Sequence, residues 1–153
     1  MPADTNDLRQ LRGVLRLRTM RREQAEGIHQ RSREALGQMR RLLEQALQLQ
    51  RATLVHLGQC HSTGTVLDPA QHEQRLLAQQ AGQLLIDERR DAVTKAIATQ
   101  EQALTDLLAA KVAEDVAVKA CERIAGVVRQ ETEQRERLDI FDSWQPREPF
   151  HGL

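Results

Sequence analysis

The chain has 153 residues, no net formal charge, and aromatic side chains at only 2% of positions. The three aromatics, Phe141, Trp144 and Phe150, fall at the end of the sequence, so everything before them must pack with Leu, Ala, Val, Ile and Met. Compact cores draw much of their buried area from large aromatic side chains. A chain without them but rich in Leu, Ala, Gln, Glu and Arg has the make-up of long paired helices, where only a narrow stripe needs burying.

The first helix is expected over about 8–59. Asn6 or Asp7 can cap its start, since a short side-chain oxygen satisfies orphan backbone N–H groups. Apolar or small residues recur at Leu8, Leu11, Leu15, Ala25, Ser32, Leu36, Met39, Leu43, Ala46, Thr53 and Leu57. They lie on one alternating three-and-four spacing, the seam of a coiled coil. Arg18, Arg22, His29 and Gln50 occupy four positions of the same seam, which implies loose pairing or partial solvation there.

Residues 60–68 read as a turn: the stretch is short, polar and contains Gly64. The next helix start is strongly marked, with Asp68 as N-cap and Pro69 at the first helical position, where its missing N–H costs nothing. This second helix is expected over about 69–140, and its best seam is Ala103, Leu107, Ala110, Glu114, Ala117, Cys121, Ile124 and Val128. Residues 141–153 carry Pro146 and Pro149 and read as a loose tail. The expected class is therefore all-α: two long helices in one antiparallel coiled-coil hairpin, the second longer and overhanging. At about 1.5 Å per residue the arms span roughly 75 and 105 Å. Pairing partners whose numbers sum to about 128 sets Leu8 opposite Ala120. Everything after Ala120, including Ile124, Val127, Val128, Leu138, Ile140 and Phe141, then projects as a single helix awaiting a partner.

Charge is unevenly spread. Residues 1–51 hold eleven Arg against six acids, and the remainder holds eleven Lys or Arg against sixteen acids. Opposite arms favour closure, although exposed pairs are screened and each contributes little. No stretch has the length and apolarity of a membrane span and no signal peptide opens the sequence, so a soluble protein of the cytoplasm is expected. Cys60 and Cys121 would lie far apart in the hairpin and could not bond within one chain. His56, Cys60, His61 and His72 gather near the turn without a CxxC or HExxH pattern, so exposed turn residues are favoured over a metal site. No phosphate loop or nucleophile elbow is present, and two exposed helices offer little water-excluding concavity. No catalytic residue, metal or cofactor is expected, and the chain reads as a non-enzyme.

Arg9, Arg12, Arg16, Arg18, Arg21 and Arg22 form the densest charged feature. It reads either as a solvated helix face or as a basic end that meets an acidic rim on a protein partner. Nucleic acid is disfavoured by zero net charge, by the missing aromatics and by Glu23 and Glu26 immediately after.

The opening Leu8-Arg9-Gln10-Leu11-Arg12, then Leu15-Arg16-Leu17-Arg18 and Arg21-Arg22-Glu23-Gln24-Ala25-Glu26, resembles the stalk proteins of type III secretion and flagellar export, the FliJ/YscO/HrpO group. The Asp68-Pro69 restart looks like versions from plant-pathogen virulence systems. The resemblance spans nearly the whole chain through motifs of low specificity. It implies a central stalk whose paired end enters the hexameric secretion ATPase and which also contacts the export-gate membrane protein. The location implied is the cytoplasmic face of the inner-membrane apparatus, with secretion chaperones as further partners. Carried onto this sequence, the six arginines with Ile124, Val128, Leu138 and Phe141 would face the ATPase. The family's gate patch is aromatic; Gln45, Leu49 and Leu76 hold the corresponding region here, and none of them is aromatic. A coiled-coil chaperone or scaffold binding client proteins is the alternative. A membrane-surface protein is a weaker one, because the seam is narrow and rich in alanine.

Overall fold

The structure is a computed structural model that describes residues 5–62 and 68–144, the side chains of 60–62 excepted. It contains two α-helices packed against each other and, among the described residues, no strand. Helix α1 runs Thr5–Ser62 and α2 runs Pro69–Trp144. The all-α helical hairpin expected from composition and spacing is the fold observed.

Both helices outrun their expected bounds. Helix α1 already includes Asn6 and Asp7, so neither is its cap; Asp7 lies in the first turn, where its charge favours the positive end of the helix dipole. At the other start the expected cap forms. Asp68 Oδ1 accepts a hydrogen bond from the Ala70 N–H at 3.2 Å, and the Asp68 carbonyl accepts the first helical bond, from the His72 N–H at 3.0 Å. Residues 60–62 continue α1 instead of opening the turn, and 141–144 continue α2 instead of beginning the tail. The rest of the expected turn and tail, 63–67 and 145–153, lies outside the described residues.

The chain divides into two units, one formed by Met1–Glu23 with Ala109–Leu153 and the other by Gln24–Leu108. In each, burial follows the three-and-four spacing without a missed step. Every expected α1 seam position from Leu8 to Leu57 is buried or half-buried, including Arg18, Arg22, His29 and Gln50. On α2 the expected seam from Ala103 to Val128 is likewise covered. It also extends back through Gln100, Ala96, Val93, Arg89, Ile86, Gly82, Gln79, Arg75 and His72, and forward to Glu131.

The core is thin. Among the described residues its buried side chains are Ser32, Leu36, Ala46, Ile86, Ala103, Leu107 and Ala117, and of these Ile86 is the least exposed, at 2%. Ser32 is tolerated because its hydroxyl donates back to the His29 carbonyl at 2.7 Å, leaving no unpaired polar atom.

The polar seam positions are where the two helices are joined. In the first unit Arg18 Nη1 donates to the Ala113 carbonyl at 2.9 Å. Arg22 Nε donates to Glu114 Oε2 at 2.8 Å, and both side chains are 24% exposed. In the second unit His29 Nε2 lies 3.4 Å from Gln100 Nε2, and the Gln50 amide sits over Gly82. Of the two expected alternatives, loose pairing or partial solvation, these positions show the second: they are half-buried, and polar contacts join the helices there.

These contacts also correct the register. A sum of 128 would set Arg18, Arg22 and His29 opposite 110, 106 and 99, whereas they reach 113, 114 and 100. The partner positions on α2 lie further along than expected. The seam consequently continues past Ala120, and Ile124 and Val128 are half-buried on it instead of projecting. Continuous exposure of α2 begins only after Glu131.

Gly82 is the one described glycine at which an added Cβ would meet another side chain, that of Gln50. A Cβ at Gly126 would have nothing within 4 Å. Gly126→Ala is therefore expected to raise stability by about 0.5–1 kcal/mol, the usual gain of Ala over Gly inside a helix. Gly82→Ala should gain less, since the Gln50 amide must swing out into water. Thermal melts of the two variants run side by side check that order.

Candidate functional site

The chemistry on offer is surface chemistry. Among the described residues no group of three His, Cys, Asp or Glu could hold a metal ion, and no helix is long and apolar enough to cross a membrane. Cys121 is a free, half-buried seam residue. Of the residues considered near the turn, His56 and His72 each have an interaction of their own, and the side chains of Cys60 and His61 lie outside those described.

In the first unit the six arginines separate into two sets. Arg18 and Arg22 point into the seam and hold α2, as described above. Arg9, Arg12, Arg16 and Arg21 are exposed. With Leu8, Leu15 and Arg22 as one seam row and Leu11 and Arg18 as the other, heptad geometry places Arg9, Arg12 and Arg16 to one side of the seam. Val14 and Leu17 flank it on the other side and are 42% and 48% exposed. The corresponding flank of α2 presents Ala113, Val116 and Val127. One side of this unit carries Arg9, Arg12 and Arg16, and the other carries the apolar residues together with Arg21 and Arg123.

Beyond Glu131 the last turns of α2 carry Leu138, Ile140, Phe141 and Trp144, which are 59–81% exposed. At 100° per residue these four share one half of the helix circumference, and Asp139, Asp142 and Glu136 occupy the other. This end is amphipathic, and it holds both aromatic residues of the described chain.

The second unit has its own exposed features. Arg33 and Arg40 line a notch with Leu36, Gly37 and Gln100. Leu49 lines an apolar groove with Ala46, Thr53, Ala78, Ala81 and Leu85. Ile28 lies over Thr99, Gln102 and Asp106. Of the residues assigned by resemblance to gate contact, Gln45, Leu49 and Leu76 are all exposed, and Leu77 and Leu84 beside them are exposed as well. Sequence reasoning passed over Val14, Leu17, Val116 and Trp144. Val14, Leu17 and Val116 each stand one place from a seam position, and Trp144 lies past the end of the seam.

Comparison with known proteins returned no match to any family, curated sequence or solved structure.

Proposed function

We propose that this protein is a non-enzymatic stalk that binds a hexameric secretion ATPase through the end of the hairpin formed by the start of α1 and the end of α2, and links that ATPase to an export gate. The observation that carries the reading is the separation of the arginine cluster. Two arginines brace the helix pair, and Arg9, Arg12, Arg16 and Arg21 are left as an exposed basic set on a braced support. Such a set suits an acidic rim on a protein partner and steers its approach. The exposed Leu138 and Phe141 supply apolar anchors on the same unit. A helical pair whose sides differ in chemistry makes unequal contacts with the subunits of a ring. Only such differential affinity can shift the assembly or turnover of the ring.

The test mixes the purified chain with its cognate export ATPase and follows hexamer formation and hydrolysis. Reversing Arg9, Arg12, Arg16 and Arg21 to Glu should abolish binding and any stimulation, while circular dichroism stays unchanged because none of the four contributes to the seam. Absence of binding by the native chain removes the reading.

A second reading rests on the exposed apolar residues of the other unit, Leu49, Leu54, Val55, Leu76, Leu77 and Leu84. Exposed apolar surface of that extent suits a chaperone or scaffold that holds client helices. Binding to unfolded secreted proteins, insensitive to the four arginine reversals, would favour it.

A further inference from the structure

On the side of the second unit that carries Leu36 and Gln100, three arginines gather with no carboxylate between them. Arg33 and Arg40 each stand one place after a seam residue, Ser32 and Met39, and Arg90 stands one place after Arg89. In an antiparallel pair of helices these positions share one side of the seam. With Gln100 beside His29 and Gln50 over Gly82 fixing the levels, Arg40 falls level with about residue 91. Arg40 and Arg90 are therefore neighbours in height, and Arg33 stands about 10 Å from Arg40 along α1.

Arg33 and Arg40 border one notch, with Leu36 and Gly37 between them and Gln100 closing it from α2. Gly37 is its floor. A Cβ there would have nothing within 4 Å, so the notch is open because this position lacks a side chain. A glycine inside a helix costs stability relative to alanine. Gln100 is half-buried, and its amide nitrogen lies 3.4 Å from His29 Nε2, which keeps the amide at the wall.

The charge on these arginines is not answered within the hairpin. Among the described residues neither Arg33 nor Arg40 forms an ion pair or a side-chain hydrogen bond. Glu34 and Asp91 reach these levels only on the outer faces of their helices, and Glu34 accepts a hydrogen bond from Gln30 at 3.2 Å. Asp87, toward one end, accepts from Gln83 at 3.1 Å, and Glu26, toward the other, has an interaction of its own. Like charges gathered in this way repel one another until an anion sits among them.

We propose that this notch binds a phosphate dianion, free or as a monoester, gripped by Arg33 and Arg40 from its two ends above Gly37. A carboxylate is planar, and a single guanidinium fork satisfies it. Two forks from opposite ends suit a tetrahedral anion with three acceptor oxygens, and Arg90 adds charge at the rim. The site uses no residue of the ATPase reading and stands or falls without it.

The experiment titrates the full isotope-labelled chain with inorganic phosphate, phenyl phosphate and acetate at constant ionic strength and follows amide shifts by NMR. Both phosphates should give saturable shifts centred on the Gly37 backbone amide and the Gln100 side-chain amide. Their dissociation constants should fall in the millimolar range, the strength of two exposed charge-assisted pairs. Acetate should bind roughly tenfold more weakly or not at all. Tighter binding of phenyl phosphate assigns the site to a phosphomonoester, and tighter binding of inorganic phosphate assigns it to the free ion. Arg33→Gln and Arg40→Gln should each weaken phosphate binding roughly tenfold. Gly37→Leu should abolish it while raising the melting temperature, because Leu is the better helix former. Arg31→Gln, exposed on the other side of the seam, should leave it unchanged. Shifts that never saturate overturn the proposal, as does acetate binding as tightly as phosphate. Equal losses from Arg31→Gln and Arg33→Gln, or binding that survives Gly37→Leu, overturn it as well.

Discussion

Ile86→Ala should lower the unfolding free energy by about 2–5 kcal/mol, the range for removing a fully buried branched side chain. Ile86 is 2% exposed, and among the described residues only Leu36 and Leu107 join it as large buried side chains. Where the rest of the covered stripe is small, each large residue carries a disproportionate share of the apolar area removed from water. Leu84, two residues earlier and 70% exposed, provides the control. Leu84→Ala should stay within about 0.5 kcal/mol of the parent. Urea denaturation followed by far-ultraviolet circular dichroism measures both. Equal losses from the two substitutions would mean that burial on this seam does not govern stability.

Glu114→Ala should cost about 0.5–1.5 kcal/mol, because it removes the carboxylate that accepts the Arg22 Nε hydrogen bond across the two helices. The pair retains some solvent contact, which screens it, so the double-mutant cycle with Arg22→Ala should give a coupling nearer the lower end of about 0.5–3 kcal/mol. Replacing both residues by Leu should recover most of the loss, since an apolar pair of similar volume serves a seam at least as well. That substitution would cost specificity. A slide of α2 by one heptad would bring Leu107 or Cys121 to the place of Glu114, leaving Arg22 facing an apolar or weakly polar side chain. Polar seam residues penalise such slips. A cycle with no measurable coupling would show that Arg22 and Glu114 do not set the register.

Much of this fold was legible because α1 keeps a strict heptad. Its apolar positions alone revealed the spacing, and the spacing in turn identified Arg18, Arg22, His29 and Gln50 as interior to the pair. What those four residues do was not legible, since their partners depend on register, and the apolar spacing of one helix does not fix its register against the other. Assuming symmetry about the turn put the pairing several places short, which overstated the single-helix overhang and assigned Ile124 and Val128 to it. The first half of the α2 seam stayed hidden for a different reason. His72, Arg75, Gln79 and Gly82 give no apolar signal, and only the opposing helix makes them interior. For the candidate site, the arginine cluster stood out as a group. Its division into bracing and exposed members required the cross-helix distances. The differing sides of the first unit needed the heptad phase of both helices together.

The position of the single tryptophan has a consequence for how unfolding of this protein is observed. Trp144 is the only indole in the sequence, and it lies 81% exposed at the extremity of α2, outside the seam. Tyrosine is absent, so near-ultraviolet emission comes almost entirely from a fluorophore that senses neither Leu36, Ile86 nor Leu107. Its spectrum in the isolated chain reports the wetting of one helix end, and separation of the two helices can proceed while that signal stays flat. The same isolation makes the indole a background-free probe of whatever comes to cover it.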